Sequence, residues 1–270
     1  MKIKKVLRSL LLGAVAAFGF TSPAQAIVTD FVMMVDESGS MGGVQVNLRN
    51  TIGNFAQVIS DAGIDARYSL VGFGAANPNP RLITDLTDPG SFATAAQGLL
   101  TSGGTEPGFA ASVFALNGLD GQTDTISFRT NAIKNLIIFS DEDNDFCCGA
   151  IRGVSPITQA MVDAELKAEQ VLYNAVVSGG GASTGTSGYA PLATGNGGQV
   201  FNLNTFASLS GTDLDDFVAA FANAKLQEIL DFCDLNPNDP RCTDTGVPLP
   251  GTLLLFGIGL LGLGMRKKLA

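Results

Sequence analysis

The sequence contains no histidine. That absence removes imidazole as a general base, Ser-His-Asp activation of a nucleophile, and every histidine-containing zinc site. Acid is missing from both ends. Residues 1–26 and 247–270 hold no Asp or Glu, yet they carry Lys2, Lys4, Lys5, Arg8, Arg266, Lys267 and Lys268. Without those seven basic residues, 9 Lys+Arg stand against 25 Asp+Glu, a net charge of −16 for residues 27–246. Such a surface repels nucleic acid and suits cations or basic partners, besides keeping an exported domain soluble.

What is present can build a sizeable core: 270 residues, 46% of them hydrophobic, for which one large α/β domain is the simplest reading. The N-terminus has a basic start, an apolar run over residues 10–20 and a small-residue end at Ala24-Gln25-Ala26. This is the layout of a secretory signal peptide, with cleavage expected after Ala26; 11 apolar residues fall short of the ~20 that span a bilayer. Export makes the four cysteines candidates for oxidation. Cys233 and Cys242 bracket a polar, Pro-containing loop and suit a staple. Cys147 and Cys148 are adjacent, and the sequence leaves them reduced, ring-closed or paired elsewhere.

Between the ends, strand and helix patterns alternate. Residues 27–35 form an apolar, β-branched run of strand length, suited to a strand buried on both faces. Met41, Val44, Leu48, Ile52, Phe55, Val58 and Ala62 recur at helical spacing, closed by Gly63. Residues 66–73 and 81–86 predict a hairpin around the turn at 77–80. Helical spacing returns over 92–99 and, after Pro107, to Leu116, followed by a polar surface connection over 117–130. A second buried strand is predicted over 135–139, an acidic loop over 141–145, a helix over 156–170 and a strand over 171–177. A Gly/Ser/Thr-rich loop (178–188), a last strand (199–203) and a last amphipathic helix (213–230) complete the pattern. The expected fold class is α/β: a doubly wound, mostly parallel sheet with helices on both faces and one antiparallel edge strand. In such folds ligands sit beyond the carboxyl ends of the strands, where the loops 36–40 and 141–145 both fall.

Asp36-Glu37-Ser38-Gly39-Ser40 begins where the first buried strand ends. In a tight loop the side chains at 36, 38 and 40 can converge, and all three offer oxygen, the donor that hard cations take. One carboxylate and two hydroxyls are an incomplete shell for a six-coordinate Mg2+, so further oxygen must come from elsewhere or from water. The constellation resembles that of the von Willebrand factor A family, whose metal-ion-dependent adhesion site is Asp-x-Ser-x-Ser, a distant Thr, and an Asp after the fourth strand. Here these are Asp36, Ser38 and Ser40, then Thr105 in Ser102-Gly-Gly-Thr-Glu106, then Asp141 after the run 136–140. The match covers about residues 28–230. The resemblance implies a Rossmann-like fold and a divalent cation, Mg2+ with Mn2+ or Ca2+ as alternatives, bound directly by Ser38, Ser40 and Thr105. Asp36 and Asp141 would hold it through water or in direct contact. It also implies an open coordination position for an acidic side chain of a partner protein, and binding rather than catalysis. One departure is that the family often has Gly soon after the second Asp, where this chain has Glu142, Asp143 and Asp145.

The C-terminus carries a second resemblance. Val247-Pro-Leu-Pro-Gly-Thr252, an apolar stretch to Met265 with four glycines, and Arg266-Lys-Lys268 resemble the PEP-CTERM and VPLPA-type sorting tails of Gram-negative bacteria, which a membrane exosortase processes after export. Residues 248–265 number 18, marginal for a span, so an ordinary anchor with its basic end kept cytoplasmic is the alternative. Either way membrane association is expected, transient or permanent. The expected organisation is a signal peptide (1–26), a von Willebrand factor A-like domain (27–232), a Cys-bracketed linker (233–246) and a sorting tail (247–270). The expected function is an exported, metal-dependent adhesion or protein-interaction module at the cell envelope, cell surface or extracellular matrix. Two alternatives stand beside it. A haloacid-dehalogenase-like phosphatase could use Asp141-Glu-Asp143, although that family's motif comes early and continues with Gly-Thr rather than Asn144-Asp145. A matrix protein could use the metal only for stability.

Overall fold

The computed structural model describes residues 26–179 and 185–242. The expected signal peptide, short of Ala26, and the sorting tail lie outside the described residues, as does part of the Gly/Ser/Thr-rich loop. Residues Ile27–Thr243 form one compact unit.

In chain order the elements are β1 (Val28–Asp36), α1 (Gly42–Asp61), β2 (Asp65–Phe73), β3 (Arg81–Thr87), α2 (Pro89–Ala95) and α3 (Gly108–Phe114). Then come β4 (Ile133–Ser140), α4 (Gln159–Ala168), β5 (Leu172–Val177), α5 (Ala190–Gly195), β6 (Val200–Asn202), α6 (Leu203–Ser208) and α7 (Gly211–Leu235). The six strands lie in the order β3-β2-β1-β4-β5-β6. Every pairing is parallel except β2 with the edge strand β3. This is the doubly wound α/β architecture expected from the alternating pattern.

Because β1 lies in the middle of the sheet, its two faces feed two cores. Phe31, Met33 and Val35 pack with Leu48, Ile52 and Phe55 of α1 and Val218, Phe221 and Ile229 of α7. Val32 and Met34 pack with Phe109 and Val113 of α3, Val162 and Leu166 of α4, and Leu192 of α5. A strand covered on both sides buries apolar side chains in both directions, which is why residues 31–35 of β1 read as a continuous run rather than an alternation. Each such side chain contributes roughly 1.5–3 kcal/mol by leaving water. Helix starts follow local chemistry: Asp88 accepts from the amides of Gly90 and Ser91 ahead of α2, Thr158 from Met161 ahead of α4, and Asn202 from Thr205 ahead of α6. Gly63, at φ +84°, ends α1.

The differences from expectation fall late in the chain. The last strand is only Val200–Asn202, because Asn202 caps a new helix and Leu203 turns into α6. α5 and, apart from Leu203, α6 fall in stretches between the expected loop (178–188), strand (199–203) and helix (213–230), where no element was expected. α7 runs on to Leu235, so Cys233 is helical and its disulfide to Cys242, with Cα atoms 5.3 Å apart, ties the last turn to the following loop as expected. Cys147 and Cys148 form the adjacent-residue disulfide, resolving their three alternatives. Under α7 lies a buried polar cluster. Lys225 Nζ stands 2.5 Å from Glu228 Oε1 and also donates to Asn174 Oδ1, while Asn174 Nδ2 donates to Glu228 Oε2 at 3.0 Å.

Strand order reverses direction at β1, with β2 on one side and β4 on the other. The chain therefore leaves β1 and β4 toward opposite faces and opens a crevice at their carboxyl ends. The loops that begin at Asp36 and Asp141 border it.

Candidate functional site

The loop after β1 turns at once. Asp36 Oδ1 accepts the Ser38 amide at 2.8 Å, an Asx turn that folds the chain back on the strand end. Ser38 Oγ lies 3.0 Å from Ser40 Oγ, and Ser40 Oγ donates to Asp141 Oδ1 at 3.1 Å. Four of the five residues predicted from sequence thus form one hydrogen-bonded chain, Asp36, Ser38, Ser40 and Asp141, joining segments 101 residues apart. Asp36 and Ser38 are buried and Ser40 is exposed, so the chain runs from the sheet edge out to solvent. Among the described residues no hydrogen bond links Thr105 to the other four. Its segment is held by Gly39 N donating to Gly103 O at 3.2 Å and Ser102 N to Glu37 O at 2.8 Å. Gly74, at φ +80°, stands between Asp36 and Thr105, where a Cβ would lie 3.1 Å from Asp36 Oδ1 and 3.4 Å from Thr105 O.

Sequence reasoning missed several residues that hold this arrangement. Ser140 Oγ donates to Asp36 Oδ2 at 2.9 Å, and Gln45 Nε2 to Asp36 O at 2.9 Å. Ser140 was open to notice, as the residue before Asp141 at the end of a strand parallel to β1. Gln45 carried no signal beyond being a polar residue inside an apolar helical stripe. Nor was Glu106 predicted, though it is 2% exposed and embedded beside the site. The acidic loop clasps its segment: Asp145 Oδ2 accepts the Glu106 amide at 3.0 Å, and Asn144 Oδ1 accepts the Phe109 amide at 2.8 Å. Asp143 Oδ2 accepts Ser187 Oγ at 2.5 Å. The loop 141–145 is therefore folded against three neighbouring segments rather than free in solvent.

The electrostatics follow from burying acid next to acid. Burial pushes the Asp36 carboxyl up to about 6; the Ser38 and Ser140 donors pull it back, and the negative charge of Asp141 adds to the rise. Burial, followed by the charges of Asp36, Glu142 and Asp145, pushes Glu106 up to about 8. Tyr189 is fully buried, and its hydroxyl has no hydrogen-bond partner among the described residues. It occupies the space that a side chain at Gly108 would fill. None of the hydrogen bonds or ion pairs of the described Lys and Arg side chains reaches the carboxylates of 141–145.

Among the described residues no group of three or more His, Cys, Asp or Glu side chains could hold a metal ion. The predicted set is of another kind, with three hydroxyls to two carboxylates. Its donors are all oxygen, its Asp36 carboxyl is held above its ordinary range by burial, and Ser40 opens it to solvent. Those features suit a hard divalent cation that completes its shell with water.

The C-terminal segment identifies itself by comparison, since residues 246–268 match the PEP-CTERM protein-sorting motif. The chain carries a PEP-CTERM tail. This bears out the expected resemblance and assigns the chain to export and surface sorting in a Gram-negative cell. No curated protein matches the sequence. Among solved structures the chain is similar to a von Willebrand factor type A protein from Catenulispora acidiphila, with a TM-score of 0.46 and 16% identity over 71% of this chain and 42% of that one. This PEP-CTERM chain thus spans less than half the length of that structure.

Proposed function

We propose that this PEP-CTERM chain is an exported protein-interaction module that binds a divalent cation, Mg2+ foremost, through Asp36, Ser38, Ser40, Thr105 and Asp141. The observation that carries the reading is the hydrogen-bonded run from Asp36 through Ser38 and Ser40 to Asp141 at the switch point of the sheet. Two sequence-distant loops bring their oxygens together where α/β folds take ligands. A bound cation would supply positive charge for an acidic side chain of a partner. This chain's residues do the rest: Asp36 folds the loop, Ser140 and Gln45 fix Asp36, and the two serines turn their hydroxyls toward Asp141. The function is binding. The hydrolase alternative needs Asp141 and Asp143 to act on one substrate, whereas Asp141 takes Ser40 and Asp143 takes Ser187.

Titration calorimetry of the purified full chain with Mg2+ and Mn2+ tests the reading. Wild type is expected to bind, and Asp36→Ala and Ser40→Ala to lose at least tenfold in affinity. Equal heats from wild type and both variants would sink it.

A further inference from the structure

Glu37 is the residue between Asp36 and Ser38 in the loop, and its side chain does not share their direction. It is fully buried. Its carboxylate crosses β2 to reach Arg81, the first residue of the edge strand β3, taking Nε at 2.9 Å and an Nη at 2.6 Å in a two-pronged contact. The crossing is open because the strand residue beneath it is Gly72, the register partner of Arg81, where any Cβ would overlap the Glu37 carboxylate. Glu37 Oε1 also accepts the Leu100 amide at 2.6 Å, and Glu37 O accepts the Ser102 amide at 2.8 Å. Arg81 reaches Gly98 O at 2.9 Å. From the other side, Arg49 of α1 donates to Leu99 O at 2.6 Å and to Ala96 O at 3.3 Å.

All of these contacts converge on the segment 96–103, which leads directly into Thr105. It carries no regular structure beyond one turn at 96–98, and the chain ahead of Thr105 has glycines at 103 and 104. Such a segment has little local preference for one conformation, so its position is set by what holds it. A two-pronged carboxylate–guanidinium contact with its carboxylate buried, as here, is directional as well as strong, and a charged acceptor for a backbone amide is worth more than a neutral one. We infer that the Glu37–Arg81 pair is the positioning element of the candidate site: it fixes the segment bearing Thr105 against the loop bearing Ser38 and Ser40, and makes the β3 edge part of the site's geometry. This rests on the proposed cation site and deepens it. Glu37 touches no ligand; it acts through the loop on either side of it. Its own charge is met by Arg81.

The test uses the full chain, Mn2+ as the probe, and amide hydrogen exchange alongside calorimetry. Arg81→Met removes the pair's cation, and Gly72→Ala displaces the Glu37 side chain from a distance. Arg81→Lys keeps the charge without the two-pronged geometry. Arg129→Met is the control, breaking a comparable guanidinium contact with Asp30 and Asp65 at the opposite end of β1 and β2. Arg81→Met and Gly72→Ala are expected to weaken Mn2+ binding tenfold or more and to speed exchange at Leu100 and Ser102. Arg81→Lys should fall between them and wild type, with Arg129→Met binding as wild type does. Unchanged affinity in the folded Arg81 and Gly72 variants would overturn the inference alone, as would an equal loss in Arg129→Met. Absence of Mn2+ binding by wild type would overturn the functional reading and this inference with it.

Discussion

Burial acts in opposite directions on the two kinds of charge inside this molecule. It raises the carboxyl of Asp36 and lowers the ammonium of Lys225, because in both cases the neutral form is cheaper to keep from water. Lys225 is held down to about 8 by burial, against the pull of Glu228 toward the charged form. Its Nζ lies 4.7 Å from the Phe201 ring centroid and 5.2 Å from that of Phe221, within cation–π range. The consequence for stability has a definite sign. An unfolded lysine releases its proton near pH 10.4. Between about 8 and that value the unfolded chain holds a proton that the folded chain has lost, so folding becomes more favourable as pH rises through this window. Urea unfolding across pH 7.5–10 is expected to show wild type gaining stability relative to Lys225→Met, by up to about 1.4 kcal/mol per pH unit. Parallel curves for the two proteins would refute it.

Single elements show what the sequence could reveal and where it stopped. β1, α1, the β2–β3 hairpin, β4 and β5 were legible because each is long enough, or apolar enough on one side, to impose a period of its own. α5 and α6 were not, since at six residues apiece they complete less than two turns and exist by packing Leu192, Leu203 and Phe206 into the cores. The candidate site divides in the same way. Asp36, Ser38, Ser40 and Asp141 were legible as residue types at strand ends, while Ser140, Gln45 and Glu37 act through contacts that exist only once β1, β2 and β4 are aligned. α7 adds an element-level prediction. Its last turn is tied by Cys233 to Cys242, a buried residue of the α1-side core, across a separation of nine residues. Closing a loop of that size stabilises the native state by about 2–3 kcal/mol in the chain-entropy account. Replacing both cysteines by serine should lower the unfolding free energy by that amount in a denaturant titration. No change would mean that α7 is held by its apolar face alone.

At the scale of the whole molecule, the sorting motif and the candidate site occupy separate stretches of chain. The candidate cation site is built within the unit Ile27–Thr243, from loops at the sheet edge, whereas the PEP-CTERM motif occupies residues 246–268. The charges divide likewise, since the three basic residues 266–268 stand beyond a region carrying a net −16 over residues 27–246. A tail of this composition is suited to a membrane and the acidic region to water, so address and binding should be separable by mutation. Deleting residues 247–270 is expected to release the protein from the envelope fraction into soluble fractions while leaving Mn2+ affinity at the wild-type value. Asp36→Ala in the full chain should do the reverse, co-fractionating with wild type but failing to bind the ion. Cell fractionation with immunoblotting, paired with calorimetry on the same four proteins (wild type, each single change, and both together), reads both properties at once. If the deletion weakened ion binding, or Asp36→Ala altered fractionation, the tail and the site would be coupled. The combination is then decisive: independent functions require it to show both losses at their single-change magnitudes, and any excess would measure the coupling.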